Sequence, residues 1–122
     1  MAKSGSASAK VHPRLRVLSG EEIALGPGKA ALLEAIAATG TLARAAEELG
    51  MSYMRAWKLV QTMNRCFRAP LVETTRGGNA RGKATLTAEG ETVLRLYRRM
   101  EEESMTATRS TWRQLARYLI PK

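Results

Sequence analysis

Within residues 52–83, seven cations (Arg55, Lys58, Arg65, Arg68, Arg76, Arg81 and Lys83) stand against one carboxylate, Glu73. That stretch carries a net +6 of the +9 borne by all 122 residues. Arg outnumbers Lys 14 to 6 over the chain. A guanidinium fork matches phosphate oxygens and a guanine edge in pairs, where an ammonium is a point charge. The chemistry open to such a cluster is recognition of a polyanion. A solvated basic face would have the same composition, so the spacing of the residues has to decide. Arg76-Gly77-Gly78-Asn79-Ala80-Arg81-Gly82-Lys83 has no apolar side chain larger than Ala. Such a loop can approach a phosphate backbone closely and place Arg in a minor groove, although a plain surface turn would look similar. It matches neither GxxxxGK[ST] nor GxGxxG, and no crossover unit surrounds it, which sets aside a nucleotide cradle.

Other chemistries are excluded by inventory. All 11 acids are Glu, and the chain has one His (His12) and one Cys (Cys66). A metal cage, a Ser-His-Asp triad or a paired-Asp site cannot be assembled from these, so we expect no catalytic residues, no metal and no cofactor. A single Cys forms no intramolecular disulfide and suits a reducing compartment. Cys66 reads either as a small buried hydrophobe or, beside cationic Arg65, as a redox-sensitive thiol. No apolar run approaches a membrane span, and the N-terminus lacks the apolar stretch of a signal peptide. The expectation is a small, soluble, intracellular basic domain, one rather than two at this length.

The elements that must position the cations follow from punctuation and period. Residues 1–13, rich in Ser, Ala, Gly and Lys, read as a flexible tail. Leu15–Leu18 and Ile23–Leu25 alternate around a Ser19–Glu22 turn, a short β-hairpin. Pro27 suits the first turn of a helix whose Leu32, Leu33, Ile36 and Ala37 share a face and which ends at Thr39-Gly40. Thr41 can cap a second helix, Leu42 to Leu49, with Leu42, Ala45, Ala46 and Leu49 inward, and Gly50 stops it. Ser52 can cap a third helix to about Arg68, with Ala56, Leu59, Val60 and Met63 inward. Leu71–Thr75 and Ala84–Leu86 are strand candidates flanking the basic loop. Thr87 can cap a last helix from Ala88 to about Leu119, unless helix-poor Ser104–Thr111 breaks it.

The second and third helices fit helix-turn-helix spacing: small Ala45-Ala46, Gly50 in the turn, then Ala56 and Leu59. Followed by a basic Gly-rich hairpin, they make a winged-helix signature. The fold class expected is mostly α (α+β): a winged helix-turn-helix with an N-terminal β-hairpin, a Gly-rich wing and a long C-terminal helix. Residues 14–87 form the winged helix, and residues 88–122 a long helix serving dimerisation. Ser52, Tyr53, Met54, Arg55, Trp57 and Lys58 lie on or flank the outward face of the third helix, whose first turn would reach base edges in a major groove. Trp57 adjoins inward Ala56, so it could stack on DNA or pack against the protein. Arg65 and Arg68 could touch backbone or simply be solvated.

At these residues the sequence resembles the N-terminal DNA-binding domain of the ModE molybdate-responsive regulators, whose winged helix is related to that of LysR-type regulators. The resemblance covers roughly residues 15–119. It is carried by MSYMRAW and Met63-Asn64, similar to the family's S-Y-x-x-A-W…M-N, and by Leu86-Thr87-Ala88-Glu89-Gly90. The S-Q-P-x-x-S pattern typical of LysR-type domains is absent. The resemblance implies DNA contacts from Ser52, Tyr53, Arg55, Trp57 and Lys58 on the recognition helix, and from Arg76, Asn79, Arg81 and Lys83 on the wing. Full-length members continue into β-rich molybdate-binding domains, whereas this sequence stops at Lys122, so molybdate sensing is not carried over.

The reading that follows is a dimeric, sequence-specific transcriptional regulator of double-stranded DNA, not an enzyme. A last helix too long for one small core to cover suggests a homodimer, hence a pseudo-palindromic operator. Its expected place is the bacterial cytoplasm, at the nucleoid, with no membrane partner and an unknown effector. Two alternatives use the same surface: a low-specificity architectural DNA-binding protein, and a winged-helix protein-interaction module.

Overall fold

A computed structural model describes residues 9–75 and 82–121. Its elements in chain order are β1 (Val17–Ser19), β2 (Glu22–Leu25), α1 (Pro27–Thr39), α2 (Leu42–Glu48), α3 (Tyr53–Cys66), β3 (Val72–Thr74), β4 (Ala84–Leu86) and α4 (Ala88–Ala116). The winged helix-turn-helix expected from the sequence is the fold observed. Compact packing groups Leu15–Tyr97 as one unit and the described residues of 1–14 and 98–122 as another.

The first unit is built around α1. Its Leu32, Leu33 and Ile36 are completely buried, and α2, α3 and the base of the β3–β4 hairpin supply Leu42, Ala45, Ala46, Ala56, Val60, Met63, Leu71 and Ala84. Pro27 stands in the first turn of α1, and Gly40 ends it at φ +80°, donating its N–H to the Ile36 carbonyl at 2.9 Å. Only a residue without Cβ holds that left-handed cap without strain. Strands β1 and β2 pair antiparallel, Leu18 opposite Ile23, around a two-residue turn in which Gly20 has φ +63°. Tyr97 of α4 is buried and donates its hydroxyl to the Leu15 carbonyl at 2.8 Å, tying the chain's entry to the last helix.

The hairpin is held at its base by backbone. β3 and β4 pair Val72 with Leu86 and Thr74 with Ala84. Thr41, between α1 and α2, bridges Lys83 as a one-residue third strand, with Ala84 N–H on the Gly40 carbonyl at 2.9 Å and Leu42 N–H on the Gly82 carbonyl at 3.3 Å.

Local expectations change at Ala37, at Leu49 and at the ends of the third and last helices. Ala37, expected on the inward face of the first helix, is exposed, and Ala35 is buried in its place. Leu49, expected inward on the second helix, is 37% exposed: α2 ends at Glu48, and Leu49 is the cap from which the chain turns away. The third helix ends at Cys66 rather than Arg68. The last helix runs unbroken through residues 104–111, where Thr108 returns its hydroxyl to the Ser104 carbonyl at 2.8 Å. A hydroxyl satisfied one turn back no longer competes with the helix. The helix stops at Ala116, and a tighter turn ending with Leu119 N–H on the Ala116 carbonyl at 3.1 Å follows before Pro121.

In the second unit, residues 98–116 form a helical segment with no buried side chain, and Met100, Met105 and Leu115 are exposed. Residues 9–13, read from composition as tail, alternate between half-buried and exposed. Val11 and Pro13 line an open groove with Met105 and Trp112. Residues 1–8 lie outside the described residues. Among the described residues no helix is long and apolar enough to cross a membrane.

Candidate nucleic-acid interface

α2 and α3 are joined by Leu49, Gly50, Met51 and Ser52. Gly50 takes φ +68°, and Met51 N–H returns to the Ala46 carbonyl at 3.0 Å. Both helices are side-chain capped: Thr41 Oγ1 accepts from Arg44 N–H at 3.1 Å and Ser52 Oγ from Arg55 N–H at 3.0 Å. Buried Ala45, Ala46 and Ala56 let the two helices cross closely. One face of α3 is thereby committed to the core, through Ala56, Val60 and Met63, and its opposite face is left outward.

That outward face begins at the capped N-terminus. Ser52, Tyr53, Met54, Arg55 and Lys58 are all exposed, with Tyr53 at 50% and Met54 at 56%. Exposed Tyr and Met in the first turn serve no core. Trp57 differs. It is half-buried and packed against the core cluster, the second of the two placements its sequence position left open. Lys83 is exposed at the hairpin base. Arg76, Asn79 and Arg81, the other wing candidates, lie outside the described residues.

The cations divide by what they meet. Arg65 Nη2 donates to Glu22 Oε2 at 2.6 Å, and Arg68 Nε to Glu89 Oε2 at 3.2 Å, so both meet carboxylates from outside the basic stretch. These are surface pairs and add little stability. Arg55, Lys58 and Lys83 meet no carboxylate among the described residues, leaving their charge for an external anion.

Cys66 Sγ donates to Glu22 Oε1 at 3.4 Å. The hydrogen bond from Arg65, then that from Cys66, holds the Glu22 carboxyl below its ordinary range. Burial first, and then the Glu22 carboxylate, push the Cys66 thiol up. A raised thiol disfavours thiolate, the reactive form. Cys66 should therefore alkylate with iodoacetamide several-fold more slowly than N-acetylcysteine near neutral pH. A faster rate would restore the redox reading.

Three residues important to this arrangement were not singled out as site residues. Asn64 makes three hydrogen bonds to the chain entering β3. Thr87 caps α4, accepting from Gly90 N–H at 2.9 Å, and donates to the Pro70 carbonyl at 2.7 Å. Gly90 lies against the Leu71 backbone. Their signals were present in Met63-Asn64 and in Leu86–Gly90, where spacing gave Thr87 its capping role but gave Asn64 and Gly90 no physical role.

A three-helix core with a capped, outward-facing second helix of the pair and a hairpin anchored beside it defines a winged helix-turn-helix module. Residues 29–91 match the family model described as bacterial regulatory helix-turn-helix protein, lysR family, and the chain belongs to that family. It is similar to the molybdenum-pterin-binding protein MopB of Rhodobacter capsulatus, 44% identical over 77 residues, which are 63% of this chain and 28% of MopB. It is also similar to the molybdenum transport protein ModE of Azotobacter vinelandii, 38% identical over 84 residues, 69% of this chain and 31% of that protein. The DNA-binding transcriptional dual regulator ModE of Escherichia coli K12 is 37% identical over 71 residues, 58% of this chain and 27% of that one. The chain thus matches less than a third of the length of these curated relatives. Among solved structures, the protein chain of a CbnR_DBD–DNA complex superposes with a TM-score of 0.55 at 26% identity, covering 75% of this chain and 97% of that one.

Proposed function

We propose that this chain is a sequence-specific, dimeric DNA-binding transcriptional regulator acting in the bacterial cytoplasm. The observation that carries the reading is the outward face of α3, where Tyr53, Met54, Arg55 and Lys58 extend from a capped N-terminus without a role in the core. Ser52 and the first turn face a phosphate, Tyr53, Met54, Arg55 and Lys58 reach base edges in the major groove, and Trp57 acts by packing α3 in place. Lys83, with Arg76, Asn79 and Arg81 of the wing, meets the backbone. The CbnR complexes, which hold DNA, support this assignment. Exposed Met100, Met105 and Leu115 on α4 support a homodimer, whose two recognition helices read half-sites related by a two-fold axis. The relatives' association with molybdenum gives no effector here, since the matched segment is the helix-turn-helix region.

The test is enrichment of duplexes from a random pool, followed by anisotropy titration of the enriched duplex and a shuffled control at several salt concentrations. The expected result is a pseudo-palindromic site bound by two protomers, at least about 10³-fold more tightly than the control. Equal, steeply salt-dependent binding to both duplexes would favour the architectural alternative. No binding even at low salt would favour a protein-interaction module.

A further inference from the structure

The β1–β2 hairpin brings a carboxylate to the far end of α3. Glu22, the first residue of β2, accepts from Arg65 Nη2 at 2.6 Å on Oε2 and from Cys66 Sγ at 3.4 Å on Oε1. Both of its oxygens are thus committed to the last turn of α3. Arg65 belongs to the outward face of that helix. It lies nine residues from buried Ala56, about two and a half turns, which puts it opposite the core. From Lys58 it is seven residues away, nearly two whole turns, so the two cations share one stripe about 10 Å apart along the axis. Met54, Lys58 and Arg65 are all exposed on that stripe. Arg68, paired with Glu89, lies past the last residue of α3 and outside it.

Lys58 meets no carboxylate among the described residues, whereas Glu22 offsets the charge of Arg65. The stripe therefore ends in a neutral pair. An exposed pair of this kind adds little stability, yet it changes what the face offers to a polyanion. A guanidinium that left Glu22 for a phosphate would gain one contact and abandon a carboxylate beside the same phosphates. That carboxylate would stay in place, bonded to Cys66 and carried by a strand anchored through buried Ala24 and Leu25. We propose that Glu22 masks Arg65 from nucleic acid, and so sets how many cations of α3 contact phosphate. The proposal rests on the DNA-binding reading above, though not on its sequence specificity.

The experiment compares the parent with Glu22→Gln, Arg65→Gln and the double variant, by anisotropy titration of one duplex of arbitrary sequence between about 50 and 200 mM salt. Glu22→Gln keeps the shape and an acceptor for Arg65 and loses the charge. Glu21→Gln removes the neighbouring exposed carboxylate, which meets no cation among the described residues, and measures the general effect of one charge. The pair is at the surface, so melting temperatures should stay close to the parent's. Glu22→Gln should tighten binding about threefold to tenfold at low salt and steepen the log–log salt slope by about 0.9, one added phosphate contact. Arg65→Gln alone should leave the slope unchanged, and in its background Glu22→Gln should do no more than Glu21→Gln does in the parent. A gain from Glu22→Gln no larger than that from Glu21→Gln, or one that survives without Arg65, overturns the mask. So does an Arg65→Gln slope shallower by about 0.9, which puts Arg65 on a phosphate already. Those results leave DNA binding standing, whereas a parent that binds no duplex even at low salt overturns the DNA reading and the mask with it.

Discussion

Gly90→Ala should destabilise the protein by about 3 kcal/mol or more, the range of a core substitution that forces backbone apart. A Cβ built on Gly90 would stand 2.1 Å from the Leu71 carbonyl oxygen, 3.0 Å from its carbon and 3.3 Å from its Cα. No side-chain rotation relieves the overlap, because the obstacle is backbone. That stretch is already held by Asn64 from α3 and by Thr87 from the start of α4. Either α4 must back away, carrying buried Tyr97 with it, or residues 70–72 must shift and release the hairpin. The direction is diagnostic, since Gly→Ala at an unobstructed helical position normally stabilises by about 0.4–1 kcal/mol. Gly28, in the first turn of α1 with nothing within 4 Å of its would-be Cβ, is the internal control. Urea denaturation of parent, Gly28→Ala and Gly90→Ala, at one protein concentration, should move the midpoint slightly up for the first variant and far down for the second. An unchanged midpoint for Gly90→Ala would refute the close approach of α4 to Leu71.

The second large effect belongs to α3. Arg55→Ala should cost about 1–3 kcal/mol of affinity for the cognate duplex, the range for one lost base contact, and relax discrimination at one position of the site. Tyr53→Ala should act in the same direction. Both side chains are exposed and outside the core, so thermal unfolding should move little. Trp57→Ala should behave differently despite its place between Arg55 and Lys58. It removes a large ring packed against the core cluster, and by analogy with large-to-small substitutions about 2 kcal/mol or more of stability goes with it. Thermal melts read beside anisotropy separate the cases: affinity without stability for Arg55 and Tyr53, stability first for Trp57. Arg55→Ala binding its enriched duplex as tightly as the parent would remove α3 as the reading element.

Much of this arrangement was legible because the rules involved are short-ranged. Thr41, Ser52 and Thr87 cap the helices that follow them because a hydroxyl reaches an N–H three residues on, a distance written in the sequence. The inward faces of α1 and α3 follow the 3.6-residue period at Leu32, Leu33, Ile36, Ala56, Val60 and Met63, although not at Ala37, and Gly40 and Gly50 take the positive φ that punctuation suggested. Where reading failed, the deciding contact was elsewhere in the chain or at an element's edge. Leu49 fits the inward period of α2, yet it lies one residue past the last helical position and turns outward. Arg65 and Arg68 counted as cations of the basic stretch, but Glu22 and Glu89, 43 and 21 residues away, partner them.

By itself, the sequence determined the helices and their caps, the turns, and the excess of positive charge around the third helix. Each of these depends on neighbours within about one helical turn or on simple composition. Only the tertiary structure decided which cations remain open to an anion, that Trp57 packs against the core, and why Asn64 and Gly90 stand where they do. Those outcomes depend on atoms brought together by packing: the backbone of residues 71 and 72 meets an amide from α3, and Leu71 approaches a missing side chain on α4. No period or spacing encodes such a meeting, because it exists only once the core has closed around Leu71.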